Sequence, residues 1–255
     1  MPRSTTGYLI LLVALAFSAC RKDPAPPTPE GPLRVPLLLT VKPLWNGAPF
    51  DKNTVYEAAG GQRVQVTELK FFLSPVGLTG PGVASELFDA DLFNVTNGAE
   101  HRTLSVEAGE YHTLHLGLGL PYELNHRDLA TIPPNAPTGN NSAMYWSWGL
   151  QYRFVIFSGR FDSDPAGIGT PPYTFDLHTG LDTCYRARSL PLHADAVDGD
   201  TLRLAINVDI ARFFTDGNDV LDLSQGAIWH GDVDQLPLAL KAADLQIKAF
   251  SVELE

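Results

Sequence analysis

Cysteine is nearly absent from this 255-residue chain, which holds only Cys20 and Cys184. That excludes a fold stapled by several disulfides. A hydrophobic core must hold the protein together, and a chain of this length can build a sizeable one. Basic residues are scarce too, 18 Lys and Arg against 29 Asp and Glu, for a formal net charge of −11. No cluster of Lys or Arg interrupts the acidic background, so a nucleic-acid partner is excluded, since phosphate binding needs such clusters. The apolar run GYLILLVALAF (Gly7–Phe17) is too short to span a bilayer comfortably. Nucleophile elbow, Walker loop, Rossmann glycine pattern and HExxH are all missing, and the chain reads as a non-enzyme.

What is present begins with a leader. A short basic region around Arg3 precedes the apolar run, and FSAC (Phe17–Cys20) has the form of a bacterial lipobox, in which the cysteine becomes the lipidated first residue of the mature protein. Residues 1–20 read as a lipoprotein signal peptide. Residues 21–32 (RKDPAPPTPEGP) are too rich in Pro and charge to pack a core, and read as a tether. The expected location is the envelope of a Gram-negative-type bacterium, with the lipid as the only membrane attachment. With Cys20 acylated, Cys184 has no partner within the chain.

The remainder, residues 33–255, is strand-like. Val35–Trp45, Gln62–Leu78, Tyr111–Leu120, Met144–Gly159 and Asp200–Ile210 carry β-branched and aromatic residues with partial alternation, and Tyr173–His178 and Leu245–Leu254 extend the set. Helical signal is thin: a turn or two at Asp209–Phe214 and another at Leu238–Leu245. Many strands, long loops and no βαβ rhythm predict an all-β fold, a single antiparallel β-sandwich with minor helical turns. The connection Pro121–Ala143 is unusually long, as functional loops often are.

Acidic segments such as Asp89–Asn94, Asp195–Asp200 and Thr215–Leu223 lack the ligand spacing of an EF-hand and read as turns. The seven histidines carry more information. His101 and His193 read as hydrogen-bonded bystanders. His112 and His115 lie three apart, on opposite faces of an extended strand, and make a poor chelating pair. His126 sits in the long loop, His178 ends a strand and His230 follows Trp229. Imidazoles with aromatic neighbours suit copper better than calcium or magnesium, which makes His126 and His178 the metal candidates and His230, His112 and His115 secondary ones. Trp146 and Trp148 stand two apart in MYWSWGLQYRF (Met144–Phe154), on one face of an extended strand. They are either a core anchor or the wall of a site.

Several of these segments resemble the MbnP-like family, named for a methanobactin-associated periplasmic copper-binding protein. Asn53–Leu78 is similar to the opening of its domain, and Tyr111–His126 to its next block. MYWSWGLQYRF matches its M-[FHY]-W-[ST]-W-x-x-[GQ]-Y-[KR]-F signature, and FDLHTGLDTC (Phe175–Cys184) is similar to its HLGSTGC segment. The resemblance implies a β-sandwich that binds one copper ion through histidines, with His178 matching the histidine of the HLG segment and His126 following the same Asn-His turn. It also implies a tryptophan oxidised to kynurenine by a di-haem peroxidase partner of the MbnH type. Trp146 matches the first tryptophan of the signature, and Trp148 stays open. Two departures bear on the ligand set: HTGLDTC replaces HLGSTGC, and Ser147 stands where some relatives carry a second histidine. The alternative is an interaction lipoprotein whose sandwich binds a partner without metal.

Overall fold

The architecture follows from the alternation already visible in the chain. A computed structural model describes residue 1 and residues 31–147, 149–231 and 233–255. The expected leader, Cys20, nearly all of the tether, and Trp148 lie outside the described residues. Pro32–Glu255 forms one unit and Met1–Gly31 groups as another.

In chain order the strands are β1 (Arg34–Trp45), β2 (Ala48–Pro49), β3 (Tyr56–Glu57), β4 (Arg63–Gly80), β5 (Val83–Phe88), β6 (Asp91–Asn94), β7 (Glu100–Glu107) and β8 (Gly109–Leu118). The helical turn α1 (Tyr122–Asn125) opens the long connection. There follow β9 (Tyr145–Ser147), β10 (Gln151–Tyr152), β11 (Val155–Asp162), β12 (Tyr173–Leu177), β13 (Arg186–Ala196), β14 (Leu202–Asp209) and β15 (Ile228–Trp229), then helix α2 (Leu236–Lys248) and β16 (Phe250–Leu254).

Two main sheets result. The smaller runs β16-β14-β1-β2, with β7 also on β1. The larger runs β13-β8-β4-β11-β12-β15, with β3, β5 and β6 also on β4. Val35, Leu37, Leu39 and Val41 alternate along β1 and are fully buried. The opposite face of β1 carries polar Thr40, whose hydroxyl donates to Glu255 Oε2 at 2.9 Å. In β4 the buried positions switch from even (Val64, Val66) to odd (Leu69, Phe71). The switch follows from an extra residue, Thr67, between the pairs Gly159↔Val66 and Ser158↔Glu68. Such a bulge flips the side on which the next side chains emerge, and a second register shift between Leu73 and Val76 returns burial to the even positions Val76 and Leu78. The sheets meet through their aromatics: Phe71 of β4 meets Phe250 of β16 edge-on at 5.4 Å. Each fully buried Phe contributes about 1.5–3 kcal/mol by leaving water.

Strand dominance and two-sheet packing agree with the all-β expectation. The sheets are mixed rather than purely antiparallel, because β14 joins β1 and β15 joins β12 in parallel. The expected strand Met144–Gly159 is three short strands. A two-residue turn at 149–150 and the left-handed backbone of Gln151 (φ 55°) break its run. Leu245–Leu254 divides as well: Leu245 and Ile247 are buried inside α2, and β16 begins only at Phe250. The turn expected at Asp209–Phe214 is a 3-10 segment, Ile210–Phe213, capped by the Asp209 side chain.

Candidate metal centre

The parallel end of the larger sheet creates a cluster. Strands β12 and β15 pair in the register Asp176↔Ile228 and Leu177↔Trp229. The next residue on each strand is a histidine, and the Trp229 carbonyl accepts from the His178 amide at 3.2 Å, carrying the ladder one step further. Parallel neighbours stand roughly 5 Å apart, so His178 and His230 come side by side. Their rings stack with centroids 4.7 Å apart at 26°. Alternation sends Asp176 to the same side as His178 while Leu177 is buried on the other. Asp176, His178 and His230 each offer one ligand atom, all within 4.8 Å of one another.

The surroundings keep His178 in its neutral form. Its side chain is 13 % exposed. Burial, aided by the charges of His230 and Arg153, pushes its pKa down from 6.5 to about 4, against the opposing pull of Asp176 and Glu68. Neutral imidazole is the form that ligates metals. Its Nε2 lies 3.0 Å from the Ser158 hydroxyl and 3.8 Å from Asp176 Oδ1. Ser158 is the cross-strand partner of Asp176 on β11, and Glu68 partners Ser158 in turn on β4. The bulge at Thr67 therefore sets which β4 side chain faces the site.

An aromatic wall closes one side. Trp146, on β9, meets Trp229 at 5.8 Å, His230 at 6.1 Å and His178 at 6.4 Å between centroids, each in an edge-on arrangement. Backbone bonds hold it there: the Arg153 amide donates to the Met144 carbonyl at 2.8 Å, and the Phe154 amide to the Thr179 carbonyl at 2.6 Å. The Arg153 guanidinium lies 6.0 Å over the Trp146 ring. Its Nη2 donates to the Ala143 carbonyl, while its Nε is buried with no hydrogen-bond partner among the described residues. Behind the wall Tyr152 is buried, donates to the Thr138 carbonyl at 2.6 Å, and has its pKa pushed up to about 12 by burial. Trp146 is partly buried against the core and borders the candidate cluster, while Met144 and Tyr152 are fully buried core anchors.

The other candidate residues sit elsewhere. His126 belongs to neither metal-capable grouping among the described residues. Its Nε2 lies 2.9 Å from Asp182 Oδ2 and its ring stacks on Tyr122 at 4.2 Å. Asn125 beside it donates to Asp182 Oδ1 at 2.7 Å and accepts from the Tyr152 amide at 3.3 Å. The Asn-His pair therefore clips the long loop to the Asp182 turn, which corrects the expected pairing of His126 with His178. His115 bridges Thr79 at 2.8 Å and Ser189 at 2.9 Å. His112 lies against Glu110 and His193. Cys184 is a buried thiol whose pKa burial raises, as expected of an inert cysteine. Sequence reasoning missed Asp176. The available signal was its i,i+2 spacing from His178 in a strand, which shares a face.

With that geometry in place, comparison with known proteins is informative. The family model MbnP matches residues 34–230, a span that ends on His230. The solved structure of MbnP from Methylosinus trichosporium is similar to this chain at a TM-score of 0.52 and 14% identity, over 87% of this chain and 99% of that one. No curated protein matches the sequence significantly.

Proposed function

The chain belongs to the MbnP family, and on that footing we propose that it binds one copper ion in the bacterial envelope. One observation carries this reading: two imidazoles and a carboxylate converge within 4.8 Å beneath an indole. The donor set fits the metal. Imidazole nitrogens suit copper, and affinity among divalent first-row ions peaks at Cu²⁺. His178, neutral well below physiological pH, needs no proton removed before ligation. In this assignment His178 and His230 are the ligands and Asp176 the adjoining carboxylate, so His230 takes the place first given to His126. Bound copper would supply a redox-capable centre; the chain's own residues orient the imidazoles, wall off one side and leave only an edge of His178 open to water.

Trp146 is the tryptophan assigned to oxidation, with a di-haem peroxidase partner as the catalyst and peroxide as the oxidant, as the family resemblance implies. Its ring is the indole nearest the two histidines among the described residues. The lipid anchor at Cys20 and the envelope location belong to the same proposal. Among the described residues no helix is long and apolar enough to cross a membrane; the attachment proposed is the lipid at Cys20. The chain acts as a metal carrier rather than as a catalyst.

A competition titration against a chromophoric copper chelator tests the ligand set. Wild type takes up one high-affinity equivalent, His178→Ala and His230→Ala lose it, and His126→Ala binds as wild type does. A high-affinity equivalent that survives both His178→Ala and His230→Ala overturns the assignment. No uptake by wild type would favour a metal-free interaction protein.

A further inference from the structure

A second cluster of ligand atoms lies at the far edge of the larger sheet, on strands the copper reading does not use. It originates in a register fault. Between β8 and β13 the pairs Thr113↔Pro191 and Tyr111↔Ala194 leave one residue, His112, opposite two, Leu192 and His193. This is a β-bulge, a device that re-aims side chains at sheet edges, and β13 is the end strand of its sheet. Past the bulge, Ala194 and Ala196 are buried and His193 faces solvent. On β8, Tyr111 is buried, so Glu110 and His112, its neighbours on either side, both face solvent.

The outcome is three exposed donors around one point. His112 Nε2 lies 2.8 Å and His193 Nδ1 3.6 Å from the same oxygen, Glu110 Oε1. The imidazole centroids are 5.5 Å apart, and one ligand atom from each of the three residues lies within 4.8 Å of the others. An ordinary surface His–Glu pair needs one histidine; here two converge on one carboxylate oxygen. Side-chain exposures of 46 %, 45 % and 76 % leave a coordination position open to water. Two imidazoles and a carboxylate with an open position form a known donor set for zinc.

We infer that Glu110, His112 and His193 form a surface site for a divalent first-row transition ion of the zinc class, separate from the His178–His230 cluster. The inference is independent of the copper proposal, since the two groupings share no residue. It also revises the reading of His193 as a bystander: the sequence places it eighty-one positions from His112, and only the bulge brings them together.

The test is a titration of the full chain with Zn²⁺ alone, followed by imidazole NMR. The resonances of His112 and His193 should shift together along one saturating curve, while His101, bonded to Thr40, stays fixed. His193→Ala should weaken the response of His112 by more than about a hundredfold, beyond what loss of an outer hydrogen-bond partner usually costs a metal site. Glu110→Gln should do the same. All three residues are exposed, so an unchanged melting temperature verifies folding. Resonances of His112 and His193 that stay still in millimolar Zn²⁺ overturn the site. A His112 response unaltered by His193→Ala also overturns it, and leaves an ordinary His–Glu pair.

Discussion

Acidification of the metal-free protein provides a sharp test of the site's electrostatics. His178 is held neutral in the fold until about pH 4, whereas an unfolded chain takes up that proton near 6.5. Between these values the unfolded state binds more protons, so stability rises with pH. The contribution is complete above pH 6.5 and is lost as pH falls from 6.5 through 4. At about 1.4 kcal/mol per pH unit the ceiling is about 3 kcal/mol, and water reaching the exposed edge of the ring reduces the expectation to about 2 kcal/mol. For a domain of this size that is about 4–8 °C in melting temperature. Carboxylates with lowered pKa values, such as Asp222 and Glu255, add their own acid sensitivity, so the comparison must be a difference. His178→Gln removes the titration and keeps an amide able to reach Ser158. Chemical denaturation of both proteins, metal-free, at pH 7.5 and pH 4.5 should show wild type losing about 2 kcal/mol more than the variant. Equal losses would refute the claim that burial keeps His178 neutral.

Three further outcomes follow from particular contacts. A Cβ at Gly159 would sit 2.3 Å from the Gln65 carbonyl and 2.7 Å from the Phe175 ring, so Gly159→Ala should destabilise by about 1–3 kcal/mol or more through forced displacement of β4, read as a lower denaturation midpoint. Ser85→Ala removes the acceptor of the Glu107 amide at 2.9 Å while Tyr111 keeps its bond to the Glu107 carbonyl at 2.8 Å; loss of this part-buried bond should cost about 1 kcal/mol, read as a lower denaturation midpoint. Asp182→Ala should cost about 1–2 kcal/mol, because buried Asn125 loses its acceptor, yet leave copper affinity unchanged. A large loss of affinity there would return His126 to the site.

The legible parts of the fold were those where burial writes alternation into one strand. Strand β1 has it, β8 and β14 have it in part, and their expected ranges overlap the observed ones closely. Strand β7 has a single buried residue, Val106, and β13 carries Arg, Ser, His and Pro among its few buried positions. Neither shows an apolar period, because each borrows its place from a neighbour's ladder. Helix α2 was seen only in its middle: Pro237 opens it, and buried Leu245 and Ile247 imitate a strand's alternation at its end. In the site, His178 was legible because a strand visibly ends there. His230 ranked second because β15 is only two residues long and pairs with residues some fifty positions away. Parallel pairing at that distance leaves no local trace, and neither does the hydrogen bond that commits His126 to Asp182.

The central claim is that His178 and His230 hold copper beneath Trp146. The most direct measurement is an anomalous difference map at the copper absorption edge, from crystals of the protein loaded with one equivalent of copper. The account predicts one peak within about 2.0–2.2 Å of a nitrogen from each of His178 and His230. A map with no peak there, or with its peak beside His126 and Asp182, would contradict it.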